Sequence, residues 1–204
     1  VAIPAVVLPP LAVYSGIILL KVNFAFVFAY LWLRTERLGK RGAAIGALAY
    51  ATSGVFAVWW LWQGTNATAL YPAVLYVVAR IFSGARVRFG TTALIVAALL
   101  LSGFPATIVY VAWVALAYSS FLAVARRILP LREIARALAG TVVGALAVAP
   151  LVVPFVQLLR RSGYLEARTD VAGDFVFPSG HLRAFLDPFI YGNPAEHLWR
   201  GDAV

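Results

Sequence analysis

Residues 15–28 read SGIILLKVNFAFVF. Thirteen of these fourteen residues carry no charge. The exception, Lys21, stands in the middle, with Asn23 two places on. Extended in both directions, the apolar run covers Leu11–Leu33, bounded by Pro9-Pro10 before it and Arg34 after it. A helix of about 17–25 apolar residues is what crosses the roughly 30 Å hydrocarbon layer of a bilayer. The run therefore reads as a membrane span with a cation inside it.

The rest of the chain points the same way. Of its 204 residues 63% are hydrophobic and 12% charged, where soluble domains hold about 45–50% and about 25%. So much apolar surface has no water-free place in a soluble domain. The fold class is all-α: a polytopic helical membrane protein, with the lipid bilayer as its first partner. The chain has no cysteine, which excludes disulfides, thiolate metal sites and cysteine nucleophiles. It has two histidines, too few for a histidine-rich metal site. It also has no methionine, begins at Val1 and shows no basic leader region in VAIPAVVLPP. A fragment or trimmed chain is expected.

Six candidate spans follow along the sequence: Leu11–Leu33, Gly42–Trp62, Ala67–Phe82, Thr91–Ser102, Pro105–Ala125 and Ala137–Leu159. The third and fourth are short, and suit tilted, partly buried or re-entrant segments. The connections 34–41, 80–90 and 126–136 hold eleven of the 17 basic residues and two of the eight acidic ones. The turns at Gln63–Asn66 and around Gly103 hold no charge. This alternation is what the positive-inside rule produces, and it places the three basic connections in the cytoplasm. The N-terminus, the neutral turns and the segment 160–204 then lie outside. The formal charge of +9 is thus a topology signal, and no nucleic-acid partner is needed to explain it.

Gly42-Ala-Ala-Ile-Gly46 and Gly140-Thr-Val-Val-Gly144 both have the four-residue glycine spacing that lets helix backbones approach closely. Trp59, Trp60 and Trp62 fall at the outer end of the second span, as an interfacial belt would. Pro150 and Pro154 each remove a backbone donor from the last span and are expected to bend it.

Groups suited to acid–base chemistry gather late in the chain. Residues 160–204 hold six acidic residues, five arginines and both histidines. Asp170, Asp174 and His181 are the catalytic candidates, with Asp187 and Ser179 nearby. No nucleophile elbow, phosphate-binding glycine loop or metal-ligand spacing occurs. The residues identify no cofactor and leave room for a divalent metal.

Lys21 poses the sharper question. It lies about ten residues, roughly 15 Å, from either end of its span, beyond the reach of a snorkelling side chain. No acidic residue lies in any of the six spans. An unpaired lysine at that depth costs about 2.5–3.5 kcal/mol. Its partner is a backbone carbonyl, Asn23, a hydroxyl, a group outside this chain or an anionic ligand such as a lipid phosphate. Lys21 and Asn23 are the ligand-binding candidates.

Several stretches together resemble the YfhO-type bacterial membrane proteins, related to the C-type (GT-C) glycosyltransferase superfamily. They are FAFVFAYLWLRTERLGKRGAAIGALAYATSGV, TNATALYPAVL, LLLSGFPATIVYVAWVALAY, VQLLRRSG and DPFIYGNP. Tyr30 with Arg34, Ser53-Gly54 and the turn Gly103-Phe104-Pro105 carry the pattern; the family often has His-Pro-Gln at that turn, which this chain lacks. The resemblance implies a multi-pass protein of a bacterial cytoplasmic membrane, with further spans and an outer domain beyond residue 204. It implies transfer of a sugar from a polyprenyl-phosphate donor to an envelope polymer or lipid acceptor. Residues 1–10 would be the tail of an outer loop that carries the family's catalytic acid, and they contain none. Residues 11–159 would form the membrane region and 160–204 an exoplasmic segment. Lys21 would hold the donor phosphate, and Asp170, Asp174 and His181 would line the outer cavity. A lipid-linked-sugar transporter or flippase, or a structural membrane subunit, are the other readings.

Overall fold

A computed structural model of the chain describes residues 9–59, 64–103 and 105–161. The chain divides into two units, Val1–Val153 and Pro154–Val204. The first holds the helical assembly; the described part of the second is the end of its last helix.

Seven helices are present among the described residues: α1 (Pro10–Thr35), α2 (Lys40–Ala51), α3 (Gly54–Trp59), α4 (Gly64–Phe82), α5 (Phe89–Leu100), α6 (Pro105–Arg126) and α7 (Leu131–Arg161). Among the described residues, four helical stretches are long and apolar enough to cross a membrane: Ala12–Thr35, Lys40–Val58, Ala106–Arg126 and Leu131–Leu158. The protein is accordingly a multi-pass helical membrane protein, and its outward faces carry leucine, valine, phenylalanine and tryptophan side chains suited to lipid.

The opening stretch lies within α1, which is 26 residues long, about 39 Å at 1.5 Å per residue. Proline at its first position costs no internal hydrogen bond. Its far end closes in a Schellman turn. The Leu38 N–H donates to the Leu33 carbonyl and the Arg37 N–H to that of Arg34, both at 3.1 Å. Arg37 takes the left-handed conformation, φ 64°, that this turn requires and that glycine usually supplies.

The second predicted span is two helices. The Thr52 hydroxyl donates to the Leu48 carbonyl at 2.8 Å, and α2 ends at Ala51. The Phe56 and Ala57 N–H groups then both turn to the Ser53 carbonyl, starting α3. A hydroxyl that competes for its own helix backbone, followed by Ser53 and Gly54, is a local reason for the break.

The two short spans behave differently from each other. α4 reaches 19 residues, and twelve of them, from Gly64 to Phe82, are buried. It is the central helix, packed against α1, α3, α5 and α6. Enclosure by protein lets it carry Thr65, Asn66 and Thr68, which lower its hydropathy. α5 has 12 residues, about 18 Å, and falls short of a roughly 30 Å hydrocarbon layer.

α4 also contains Pro72. Proline has no N–H, so the Thr68 carbonyl four residues back loses its helical donor. The Tyr50 hydroxyl of α2 donates to that carbonyl at 2.8 Å. A part-buried carbonyl is thereby satisfied across helices. Tyr50→Phe is expected to cost about 1–2 kcal/mol, measured by thermal unfolding in detergent. Pro72→Ala restores an N–H to the helix, so the loss should shrink by about 1 kcal/mol in the Tyr50→Phe/Pro72→Ala double variant.

The glycine spacing in α7 seats that helix on α5. A Cβ at Gly140 would stand 2.6 Å from the Phe89 carbonyl oxygen and 2.8 Å from the Thr92 Cβ. One at Gly144 would collide with the Ala93 backbone. In α2 only Gly46 is close to a neighbour, the Leu33 Cδ1 of α1, while Gly42 faces open space. α7 begins at Leu131 and not at Ala137, so the third basic connection shortens to residues 127–130. Glu133 stands in its first turn, where a carboxylate meets the positive end of the helix dipole. The helix runs on through Pro150 and Pro154.

The three basic connections share one end of the assembly. Arg126 pairs with Glu36 at 2.8 Å, joining the end of α6 to the end of α1. The Val87 N–H donates to the Glu133 carboxylate at 3.2 Å, joining the α4–α5 connection to the start of α7. At the other end, Asn66 donates to the Ser102 carbonyl at 3.0 Å, and the Tyr71 hydroxyl to that of Thr107 at 2.8 Å.

Candidate functional site

Lys21 meets the start of α4. Its ammonium donates to the Thr65 hydroxyl at 3.1 Å. Thr65 is fully buried, and Lys21 is half-buried. Counted along α1, Lys21 stands thirteen residues before Arg34, about 20 Å from the basic end. The cation is thus held deep in the bundle on the side of the neutral turns. Of the partners the sequence leaves open, the structure supplies a hydroxyl from a neighbouring helix.

Asn23 serves a different face. Residues two apart on a helix are separated by about 200°, and the Asn23 amide donates to the Leu19 carbonyl of its own helix at 2.8 Å. Asn23 is exposed, and this bond does not involve Lys21. Asp170, Asp174 and His181 lie outside the described residues, as do Trp60 and Trp62. No cluster of histidine and carboxylate groups that would hold a metal occurs among the described residues.

The stretch Gly64-Thr-Asn-Ala-Thr-Ala-Leu-Tyr71 forms a polar collar around the neutral end of α4. Thr65 receives Lys21 from α1, Asn66 reaches the turn after α5, and Tyr71 reaches α6. The Thr68 hydroxyl donates to the Gly64 carbonyl at 3.0 Å. The Ser102 hydroxyl beside this collar is buried without a hydrogen-bond partner. In a low-dielectric setting these donors fix the helix ends, and Lys21 adds a positive charge that an anionic group can meet.

Sequence reasoning found Lys21 but not its partner. The signal was available in TNATALY, where hydroxyl and amide groups interrupt an otherwise apolar run. Helical hydroxyls in membranes serve as interhelical hydrogen-bonding groups. The structure adds a second polar cluster. At the basic end, the Trp32 indole donates to the Tyr118 hydroxyl at 3.0 Å. Tyr118 in turn donates to the Glu36 carboxylate at 2.5 Å. The two rings meet edge to face, their centroids 6.0 Å apart.

Comparison with protein-family models, with curated proteins and with solved structures gives no match for this chain.

Proposed function

We propose that this chain is the membrane-embedded part of a YfhO-type, GT-C-like glycosyltransferase that uses a polyprenyl-phosphate-linked sugar to modify an envelope acceptor. The observation that carries the reading is Lys21, a cation held inside a membrane helix by a fully buried hydroxyl. A lysine is costly at that depth, and intramembrane cations mark substrate pathways by default. The ammonium is suited to the phosphate of a lipid-linked donor. On this reading the end carrying the basic connections faces the cytoplasm, the orientation that the positive-inside rule favours. Lys21 then sits in the half of the bundle facing outward, where the acceptor would arrive.

The break between α2 and α3 favours a second reading. Transporters place discontinuous helices at their substrate sites, and residues 52–53 interrupt a span here. Transport of the same lipid-linked sugar would use the same cation.

The test is binding of a polyprenyl-phosphate sugar to the purified chain in vesicles. Lys21→Met is expected to weaken binding about tenfold or more, the worth of a charge-assisted hydrogen bond. Thr65→Val, which keeps the charge and removes the hydroxyl, is expected to cost about threefold. Unchanged donor affinity in Lys21→Met would remove the residue from the site and the reading with it. Transfer of sugar to an acceptor, as against movement of the donor between leaflets, separates the two readings.

A further inference from the structure

A group of arginines lies at the end of the assembly that carries the basic connections. The connection between α4 and α5 carries Arg86 and Arg88, with Arg80 on the last turn of α4. With Arg136 of α7 these three line a crevice of about 780 Å³. An adjoining recess of about 280 Å³ is lined by Arg80, Arg86, Arg88 and Tyr76.

The nearest carboxylate is already engaged. Glu133 accepts both contacts from Arg136 at 2.6 Å and the Val87 N–H at 3.2 Å. Among the described residues, no ion pair involves Arg80, Arg86 or Arg88. Arg80 is positioned by neutral groups: it lies 5.9 Å from the Tyr76 ring centroid and donates to the Arg86 carbonyl at 3.3 Å. Among the described residues, three guanidinium groups therefore line one crevice without an ion-pair partner.

The crevice adjoins an apolar cavity. A space of about 340 Å³ runs between α4, α5, α6 and α7, lined by residues such as Ile81, Ile95, Leu116 and Leu138. That volume is within the range of ligand pockets, roughly 300–1,000 Å³. Val77 lines both the recess and the cavity. Thr91 and Arg136 line the crevice, while their chain neighbours Thr92 and Ala137 line the cavity. The Thr92 hydroxyl, on a residue 6% exposed, has no hydrogen-bond partner. A polar crevice of positive charge thus lies beside an apolar space, with the Thr92 hydroxyl where the two come closest in sequence.

We infer that this is a binding site for an anionic phospholipid, with the phosphate headgroup on Arg80, Arg86 and Arg88 and one acyl chain in the cavity. Guanidinium groups match phosphate oxygens bidentately. An ester carbonyl near the glycerol is an acceptor at the depth of Thr92. Basic pockets between membrane helices bind such headgroups. The cavity is what distinguishes a lipid from free phosphate. The site is independent of Lys21 and of the transferase reading.

The test uses the full chain in a zwitterionic detergent, titrated with phosphatidylglycerol, phosphatidylcholine or inorganic pyrophosphate. Retained lipid is read by native mass spectrometry. Wild type is expected to prefer phosphatidylglycerol over phosphatidylcholine about tenfold or more. Arg80→Gln/Arg88→Gln should abolish that preference. Arg37→Gln/Arg41→Gln, which removes equal charge from the same end outside the crevice, should leave it within about threefold. Leu138→Trp, at a position exposed enough to accept the larger ring, should weaken phosphatidylglycerol binding and leave pyrophosphate binding unchanged. Helix content by circular dichroism confirms that each variant is folded. Equal retention of the two lipids by wild type would overturn the proposal, as would equal loss in the two arginine double variants. Pyrophosphate binding as tight as phosphatidylglycerol, together with a silent Leu138→Trp, would assign the crevice to free phosphate and overturn the lipid site.

Discussion

Gly144→Leu is expected to lower the unfolding temperature in detergent by about 10 °C, while Gly42→Leu leaves it within about 2 °C. Both glycines belong to a four-residue glycine pair on an apolar helix, yet their surroundings differ. A Cβ at Gly144 would run into the Ala93 carbonyl group and come within 3.1 Å of its Cα. Those atoms are backbone of α5 and cannot rotate aside, so α7 must lift from its seat. Overpacking a well-fitted contact costs about 1–3 kcal/mol and more where backbone must move. At about 2–4 °C per kcal/mol for a chain of this size, a cost near the top of that range gives the expected shift. Gly42 has no atom within 4 Å of a would-be Cβ, so leucine there projects into open space. Gly46→Leu falls between them, because its neighbour, the Leu33 Cδ1 at 2.7 Å, is the end of a flexible side chain. Thermal unfolding of the three variants under one condition checks the order. Equal shifts at Gly42 and Gly144 would mean that glycine content itself, rather than the α5–α7 contact, sets stability.

That contrast marks how far the sequence could be read. Length and hydropathy were enough for a multi-pass helical protein, because apolar runs near 20 residues have no other stable home. The basic connections were legible as a set, and the Arg126–Glu36 and Val87–Glu133 contacts place them at one end. What a glycine pair touches was not legible, since spacing fixes which residues share a helix face and not which neighbour meets it. The same limit hid the partner of Lys21. Thr65 lies 44 residues away in sequence, and only the packing of α4 against α1 brings it to 3.1 Å. The break after Ala51 and the Tyr50 bond to the carbonyl freed by Pro72 likewise depend on competition between local hydroxyls and tertiary contacts. For the candidate site, the cation was visible in the sequence and its surroundings were not. Asp170, Asp174 and His181 lie beyond the described residues.

Glu36→Ala is expected to destabilise the chain by about 2 kcal/mol, more than its place in a connecting turn would imply. Glu36 and Glu133 are the only acidic residues before position 160, and each joins separate segments at the end where cations accumulate. Glu36 accepts the Tyr118 hydroxyl at 2.5 Å on one oxygen and the Arg126 guanidinium at 2.8 Å on the other. Its side chain is 24% exposed and that of Arg126 28%. The pair is therefore screened less than a fully exposed one, for which about 0–1 kcal/mol is usual. Removing the carboxylate breaks two bonds and takes the acceptor from a tyrosine that also receives the Trp32 indole. Two part-buried hydrogen bonds, one charge-assisted, account for the expected loss. Arg126→Gln breaks only the ion pair and should cost about 1 kcal/mol, while Glu36→Gln keeps an acceptor for Tyr118 and should also cost about 1 kcal/mol. In a double-mutant cycle by thermal unfolding, Glu36→Ala and Arg126→Gln should couple by about 1 kcal/mol, because the second change removes a contact already lost in the first. Additive losses would instead mean that Glu36 acts through Tyr118 alone, leaving the arginine at the end of α6 to serve orientation in the membrane rather than the joining of α1 to α6.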